Sequence, residues 1–277
     1  MPDVIESLGG SLIQHGNLNQ RIYVMRLDPA DCPDIITALR DLALARGYTK
    51  IFAKVPESLS SMFLDQGYSV EARVPGFFQG QIQADFLAFY LDEKRKIPAR
   101  PGLIQEVIDQ AEKKHGQGLS SDQNGSWRIE PMTRELAEPM AELYARVFQS
   151  YPFPIHDAEY LRETMQNHVI YLGARNRETL GALASAEMDR TSLCAEMSDF
   201  ACLPCFRGHN LSVRLLEAMI FRMNQEGIRT LYSIARSVSY GMNIAFAKTG
   251  FCFGGTLINN THISGGLESM NVWYKHL

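Results

Sequence analysis

The sequence predicts an α/β (α+β) fold, a mixed and twisted sheet flanked by helices, and three observations carry that expectation. The segment Asp199-Phe-Ala-Cys-Leu-Pro-Cys-Phe-Arg-Gly-His-Asn-Leu-Ser-Val-Arg-Leu-Leu-Glu-Ala-Met219 is a short apolar strand that turns through a basic, Gly-containing loop into an amphipathic helix. After it, strand and helix go on alternating to the end of the chain. Before it, the order helix, strand, helix, Gly-aromatic, strand, strand between Ile35 and the strand that begins at Ala84 repeats the order found from Leu215 to Leu277, so an internal duplication is expected.

In chain order, Ile35 to Arg46 reads as a helix and Lys50 to Val55 as a strand. Leu59 to Gln66 is helical and ends at Gly67-Tyr68, and strands start at Ser69 and Ala84. The Gly/Ser/Asn/Asp cluster His115-Gly-Gln-Gly-Leu-Ser-Ser-Asp-Gln-Asn-Gly-Ser126 reads as a linker, dividing the chain into units of residues 1–122 and 123–277. A strand opens at Trp127, and Thr133 caps a helix running to about Gln149. A second helix covers Asp157 to Asn167. Strands follow at Val169 to Ala174, Leu180 to Met188 and Cys194 to Cys202. In the loop helix, Leu211, Leu215, Leu216 and Met219 form one apolar face that packs on the sheet, leaving the N-terminus pointing outward. A strand at Thr230 to Ala235 leads to a helix from Ser239 to Thr249, closed by Gly250-Phe251, and then to strands at Thr256 to Ile263 and Ser269 to Tyr274.

The outward helix end is an anion seat. Unpaired backbone N–H groups, the positive end of the helix dipole and the Arg207 side chain converge there, and Gly208 lets the backbone approach an anion closely. The pattern Arg-x-x-Asn-x-Ser after x-Leu-Pro resembles the acetyl-CoA loop of the GNAT acetyltransferase superfamily, and the later strand, helix, Gly-Phe, strand, strand order matches the second half of that fold. The resemblance implies that Cys202, Leu203, Arg207, Gly208, His209, Asn210, Leu211 and Ser212 hold acetyl-CoA. It also implies that the first half is a degenerate copy without the Arg-Gly loop. Asn210 replaces the family's usual second glycine, and Asn tolerates the left-handed backbone that such a turn needs.

The chemistry follows from the amine. An ammonium of ordinary pKa is neutral in only about one part in 2,500 at pH 7, so making it nucleophilic costs roughly 4.6 kcal/mol, and a carboxylate base offsets this. Glu196, on the strand leading into the loop, resembles the catalytic Glu of histone-type GNAT enzymes. Glu187 on the preceding strand is the second candidate and Asp199 the third. The family's general acid is a Tyr four residues before Gly-Phe. Here that residue is Phe246, so either Asn243, three residues earlier, hydrogen-bonds the leaving sulfur or water supplies the proton.

The strings Arg21-Ile-Tyr-Val-Met, Tyr48-Thr-Lys-Ile-Phe-Ala-Lys-Val-Pro56, Tyr151-Pro-Phe-Pro-Ile155, Gly254-Gly-Thr-Leu-Ile-Asn-Asn-Thr261 and Glu268-Ser-Met-Asn-Val-Trp-Tyr-Lys275 resemble those of the β-lysine N-epsilon-acetyltransferase family. That resemblance implies acetyl transfer to the distal amine of 3,6-diaminohexanoate, downstream of a lysine 2,3-aminomutase, for a compatible solute or for lysine breakdown. The residues permit such a substrate, with Tyr151 and Phe153 as apolar wall and Glu187, Arg236, Asn259 and Asn260 as polar contacts. A different small-amine acetyltransferase, for polyamine, aminosugar or α-amino acid, and a non-catalytic CoA-binding module are the alternatives.

Composition sets the outer limits. With 277 residues, 45% hydrophobic and 21% charged, the chain has enough apolar material for a sizeable core, and a net charge of −4 argues against nucleic-acid or anionic-membrane partners. No apolar leader opens the sequence and no run of about 18 apolar residues interrupts it, so a cytoplasmic enzyme is expected. Five cysteines suit a reducing compartment. Cys202 and Cys205 form one C-x-x-C with no second pair, so no metal site is expected, and a homodimer is compatible with the chain.

Overall fold

The structure is a computed structural model that describes residues 3–119 and 127–277. Its described residues form one continuous 13-stranded sheet in the order β1-β2-β3-β4-β6-β5-β12-β13-β11-β10-β9-β8-β7. The expected division at 122/123 and most of the expected linker lie outside the described residues.

The N-terminal half contributes β1 (Val4–Leu8), β2 (Ser11–Gly16), β3 (Arg21–Arg26), α1 (Asp34–Arg46), β4 (Lys50–Pro56), α2 (Glu57–Leu64), β5 (Ser69–Phe78), β6 (Ile82–Tyr90) and α3 (Pro101–Glu112). The C-terminal half contributes β7 (Arg128–Pro131), α4 (Ala137–Val147), α5 (Ala158–Asn167), β8 (Val169–Asn176), β9 (Thr179–Asp189), β10 (Cys194–Cys202), α6 (Leu211–Gln225), β11 (Thr230–Arg236), α7 (Tyr240–Lys248), β12 (Cys252–Ile263) and β13 (Gly266–His276). In each half a parallel pair, β3/β4 or β10/β11, is followed by an antiparallel pair, β5/β6 or β12/β13.

Every strand and helix expected from the sequence is present, most within two residues of its expected bounds. The strands β1, β2 and β3 were not expected, because Ser11, Gln14, His15 and Arg21 are buried polar residues that break the apolar alternation of a strand. Helix α3 was also missed. It buries Ile104, Val107, Ile108 and Ala111 at i, i+3, i+4 and i+7, and it packs across the halves against α7.

The halves meet where β5 and β12 pair antiparallel at Ala72 and Gly255. A Cβ at Gly255 would stand 2.2 Å from the Glu71 carbonyl oxygen, and its φ of +141° lies where side chains are strained, so this close crossing requires glycine. Around it lies a buried polar seam. The Lys50 ammonium donates to Glu71 at 2.7 Å and to the Ile258 carbonyl at 2.8 Å, while Arg95 donates to the carbonyls of Asn259 at 3.0 Å, Gln20 at 2.7 Å and Asn19 at 2.7 Å.

The sheet curls, as strongly twisted sheets do. Its concave face gathers Tyr23, Phe52 and Phe86 from one half with Tyr232, Leu257 and Val272 from the other into a single apolar cluster. The Lys54 ammonium of β4 consequently reaches the Tyr232 hydroxyl of β11 at 3.0 Å, although four strands lie between them in the sheet. The convex side of the C-terminal half is covered by α6 and α7, with Leu215, Leu216, Met219 and Phe246 in the core.

Candidate active site

Strands β10 and β11 pair in parallel only from Cys194, opposite Thr230, to Glu196, opposite Tyr232. Beyond that point they separate. The cause is local to β10, where the register against β9 shifts between Ser198 and Ala201 and Asp199 takes a left-handed φ of +53°. A wedge opens between the strands, lined by Met197 to Phe200 on one side and Ser233 to Arg236 on the other, and it belongs to a cavity of about 1210 Å³.

The loop that follows closes the mouth of the wedge. A 3₁₀ turn at Pro204–Phe206 leads to Arg207, then to Gly208 at φ +87° and Asn210 at φ +53°, and α6 begins. Asn210 therefore takes the left-handed conformation expected of it. A Cβ on Gly208 would meet nothing within 4 Å, so space is left at the helix end, and the first turn of α6 carries no acidic residue. Cys202, Arg207, Gly208, Asn210, Leu211 and Ser212 line the cavity. Leu203 does not line it: it is buried in the core beside α4, with its N–H given to the Gly181 carbonyl at 3.0 Å. His209 is an exposed loop residue, also outside the lining.

Four acids line the cavity, and one of them, Asp189, is taken up by the turn after β9, accepting from the N–H groups of Thr191 at 2.9 Å and Ser192 at 3.0 Å. Glu187 on β9 and Glu196 on β10 are register partners, and Asp199 sits in the bulge. A chain of hydroxyls ties Glu187 to Asp199: Ser198 donates to Glu187 at 2.7 Å, Ser185 donates to Asp199 at 2.7 Å, the two serine oxygens are 2.9 Å apart, and Tyr151 donates to Asp199 at 2.7 Å. Burial, then repulsion from Glu196 and Asp199, pushes the Glu187 carboxyl up to about 8. Burial raises Glu196 as well, but the Lys54 ammonium and a hydrogen bond from Tyr232 oppose the rise. Burial likewise raises Asp199 against hydrogen bonds from Tyr151 and Ser185. Three acids this close share protons and favour an arriving cation.

The opposite wall comes from the N-terminal half, through Arg21, Tyr23 and Phe52 with Lys54. Sequence reasoning gave none of these a role, since nothing near them in sequence marks a site. Tyr151, Phe153, Glu187 and Asn260 line the cavity as expected. Other expectations are corrected. Asn243 is fully buried and spent: its amide donates to the carbonyls of Arg236 at 3.0 Å and Ser239 at 2.8 Å, and its Oδ1 accepts from Asn271 and Trp273, both at 2.8 Å. No donor remains for a leaving sulfur. Asn259 lies off the cavity and clamps the carbonyls of Arg95 at 2.8 Å and Ile97 at 2.9 Å. Arg236 lines the cavity, but its guanidinium is held by Glu268 at 2.8 and 2.6 Å. Phe246 is 1% exposed and packs edge-on against Phe251 at 5.1 Å and Phe200 at 5.6 Å.

A wedge between diverging parallel strands, with a basic turn and helix end at its mouth and acids in its floor, suits an extended phosphorylated thioester and an amine. Residues 135–251 match the acetyltransferase (GNAT) family, and the chain belongs to that family. It is an acetyl-CoA-dependent N-acetyltransferase. Over 275 residues it is 35% identical to the β-lysine N(6)-acetyltransferase of Methanococcus maripaludis, covering 99% of each chain. It is 32% identical over 270 residues to the N-acetyltransferase YodP of Bacillus subtilis, covering 96% of each. A β-lysine N(6)-acetyltransferase of Methanosarcina mazei is 27% identical over 264 residues, covering 88% of this chain and 97% of the relative.

Proposed function

We propose that the enzyme moves the acetyl group of acetyl-CoA to the distal amine of β-lysine, giving N-epsilon-acetyl-β-lysine. The observation that carries this reading is the cluster of Glu187, Glu196 and Asp199 facing one cavity, with cations of the N-terminal half across from it. A diamino acid carries charges that match both walls. The names of the relatives from the two methanogens point to the same substrate.

Acetyl-CoA supplies an electrophilic thioester carbonyl. Arg207, Gly208 and the N–H groups opening α6 receive its pyrophosphate, and the inner edges of β10 and β11 flank its arm. Glu196 is the base. Lys54 and Tyr232 keep more of it ionised than its burial would otherwise allow, so it can take a proton from the substrate ammonium directly or through water. The freed amine forms the C–N bond, the adduct gives its second N–H proton to water, the C–S bond breaks, and the thiolate takes its proton from water, since Phe246 has no proton to give and Asn243 has no free donor. Glu187 and Asp199, sharing protons, add to the negative field that draws the distal ammonium to Glu196.

All five cysteines are free thiols, and no helix among the described residues is long and apolar enough to cross a membrane. The free thiols support a cytoplasmic setting, with a lysine 2,3-aminomutase as the source of β-lysine. The test is the product formed from β-lysine and acetyl-CoA, identified by mass spectrometry with fragmentation. Acetyl on the distal nitrogen is the expected result. Acetyl on the other nitrogen, or turnover confined to amines without a carboxylate, overturns the reading.

A further inference from the structure

Arg21 is a buried cation that makes no direct ion pair among the described residues. It is 4% exposed, its guanidinium lies over the rings of Tyr23 at 5.2 Å and Phe52 at 5.9 Å, and it lines the cavity. Its Nη1 donates to the Asn260 carbonyl at 2.7 Å and to the Thr261 hydroxyl at 3.3 Å. Its Nε has no hydrogen-bond partner, and among the described residues no carboxylate pairs with it. Burial lowers its pKa to about 10 even though Tyr23, Asp3, Glu196 and Glu71 pull the other way. Beside it, the Oδ1 of Asn260, a residue 1% exposed on the same cavity wall, is also buried with no partner.

An orphaned donor on a cation and an orphaned acceptor on its neighbour are each costly to leave empty. One ligand chemistry satisfies both, a carboxylate with an ammonium close to it. Of the other cations that line the cavity from β3 and β4, Lys54 is already engaged with Tyr232 and with the charge of Glu196, and Arg26 is exposed at the end of β3, so Arg21 is the buried cation left for that carboxylate.

We propose that Arg21 binds the carboxylate of the amino-acid substrate and that Asn260 accepts a hydrogen bond from the ammonium beside it. Held by its head against β3 and β12, the substrate extends its far amine toward Glu187 and Glu196 on β9 and β10. The wall built by the non-catalytic half thus selects an amino acid over a diamine and selects the distal nitrogen for transfer. This inference rests on the substrate class proposed above.

The test is steady-state kinetics with β-lysine, with 1,4-diaminopentane, which is the same diamine without the carboxylate, and with 6-aminohexanoate, which lacks the inner amine. The wild type should prefer β-lysine. Arg21→Gln should raise KM for β-lysine and 6-aminohexanoate by roughly 10- to 100-fold, the usual worth of a charge-assisted pair, with kcat much less changed. It should leave kcat/KM for 1,4-diaminopentane and the affinity for acetyl-CoA within about twofold. Asn260→Ala should weaken β-lysine but spare 6-aminohexanoate. If Arg21→Gln is poorly folded, Arg21→Lys, which keeps the charge and loses the fork, should show the same selectivity to a smaller degree. Equal loss on all three substrates, or a wild type indifferent to the carboxylate, overturns the proposal. If the wild type ignores β-lysine but acetylates another amine, the substrate reading fails, and the same comparison on that amine with and without a carboxylate decides the role of Arg21 separately.

Discussion

The turn from β3 to α1 and the turn from β10 to α6 hold matching places in the two halves and carry opposite charge. Each leaves a strand, makes one 3₁₀ turn, at Pro29–Asp31 or Pro204–Phe206, and enters a helix. In the C-terminal half that helix end offers Arg207 and Gly208 with no acid in its first turn. In the N-terminal half it offers Asp28, Asp31 and Asp34, and Pro33 at the cap brings no N–H. Asp31 is turned inward, accepting from the N–H groups of Gly10 at 3.1 Å and Ser11 at 2.8 Å. One helix end is open, as the proposed pyrophosphate seat requires, and the other is filled by its own carboxylates.

Elsewhere the halves agree in detail. Phe63 near the end of α2 is followed by Gly67 and Tyr68 as Phe246 near the end of α7 is followed by Gly250 and Phe251, with a Tyr68 N–H to Phe63 carbonyl bond of 3.2 Å and a Phe251 N–H to Phe246 carbonyl bond of 3.0 Å. The ring pairs stand edge-on at 5.2 and 5.1 Å. We propose that both halves descend from one unit. The scaffold tolerates loss of the anion seat because that seat lies outside the core, and the half without it was free to become a wall of the other's cavity.

Removing that wall is the severest test of the comparison. A chain starting at Trp127 should lose activity by about a thousandfold or more and lose solubility, because Tyr232, Leu257, Met270 and Val272, now packed against Tyr23, Phe52 and Phe86, would be exposed along with the unpaired edge of β12. A monodisperse, active fragment would show that the first half is dispensable.

Charge at the anion seat comes next. Gly208→Glu should abolish acetyl-CoA binding by calorimetry while the fold survives, since a side chain there meets open space. Gly208→Ala, which tests only the backbone at φ +87°, should cost about 1 kcal/mol of stability and little affinity. In the other half, Asp31→Asn should leave acetyl-CoA affinity unchanged and lower Tm. An effect of Asp31→Asn on acetyl-CoA binding would break the assignment of one seat to one half.

Glu196→Gln should reduce kcat at neutral pH by about a hundredfold, with the loss shrinking as pH approaches the ammonium pKa and more substrate is already neutral. Acetyl-CoA affinity should hardly change. If Glu187→Gln shows this pH-dependent loss instead, the base stands on β9.

The smallest effect is on stability. Glu187 is held at about 8 in the folded protein against an ordinary value of 4.5, so between those values the native state binds more protons than the unfolded chain. Its contribution to stability therefore falls as pH rises from 4.5 through 8. Glu187→Gln removes that loss, so its unfolding free energy should match the wild type at acid pH and exceed it progressively toward pH 8, by roughly 1–2 kcal/mol there, read as a higher Tm. A melting difference independent of pH would mean that Glu187 titrates normally.

Much of this site was legible before any coordinates. The Arg207-Gly208 turn, the strand carrying Glu196 and the Phe246-Gly250-Phe251 closure are each encoded within a few residues. Asn243 shows where such reasoning stops. Its spacing from Phe246 on α7 suits a shared face, but only packing shows that its amide is taken up by Trp273 and Asn271 of β13. Arg21 shows the reverse, since a strand that buries an arginine looks like no strand at all.

The sequence by itself determined the class of fold, the Arg207-Gly208 turn into α6 and the acids on β9 and β10, because helix periodicity, turn chemistry and strand alternation act over short stretches of chain. The tertiary structure decided what those acids face. The pairing of β5 with β12 and the curl of the sheet bring Arg21, Tyr23 and Lys54 across from Glu196, more than 100 residues away in the chain. Such a meeting depends on how thirteen twisted strands close on one another. No local pattern records that closure, because its energy is spread over every contact between the two halves.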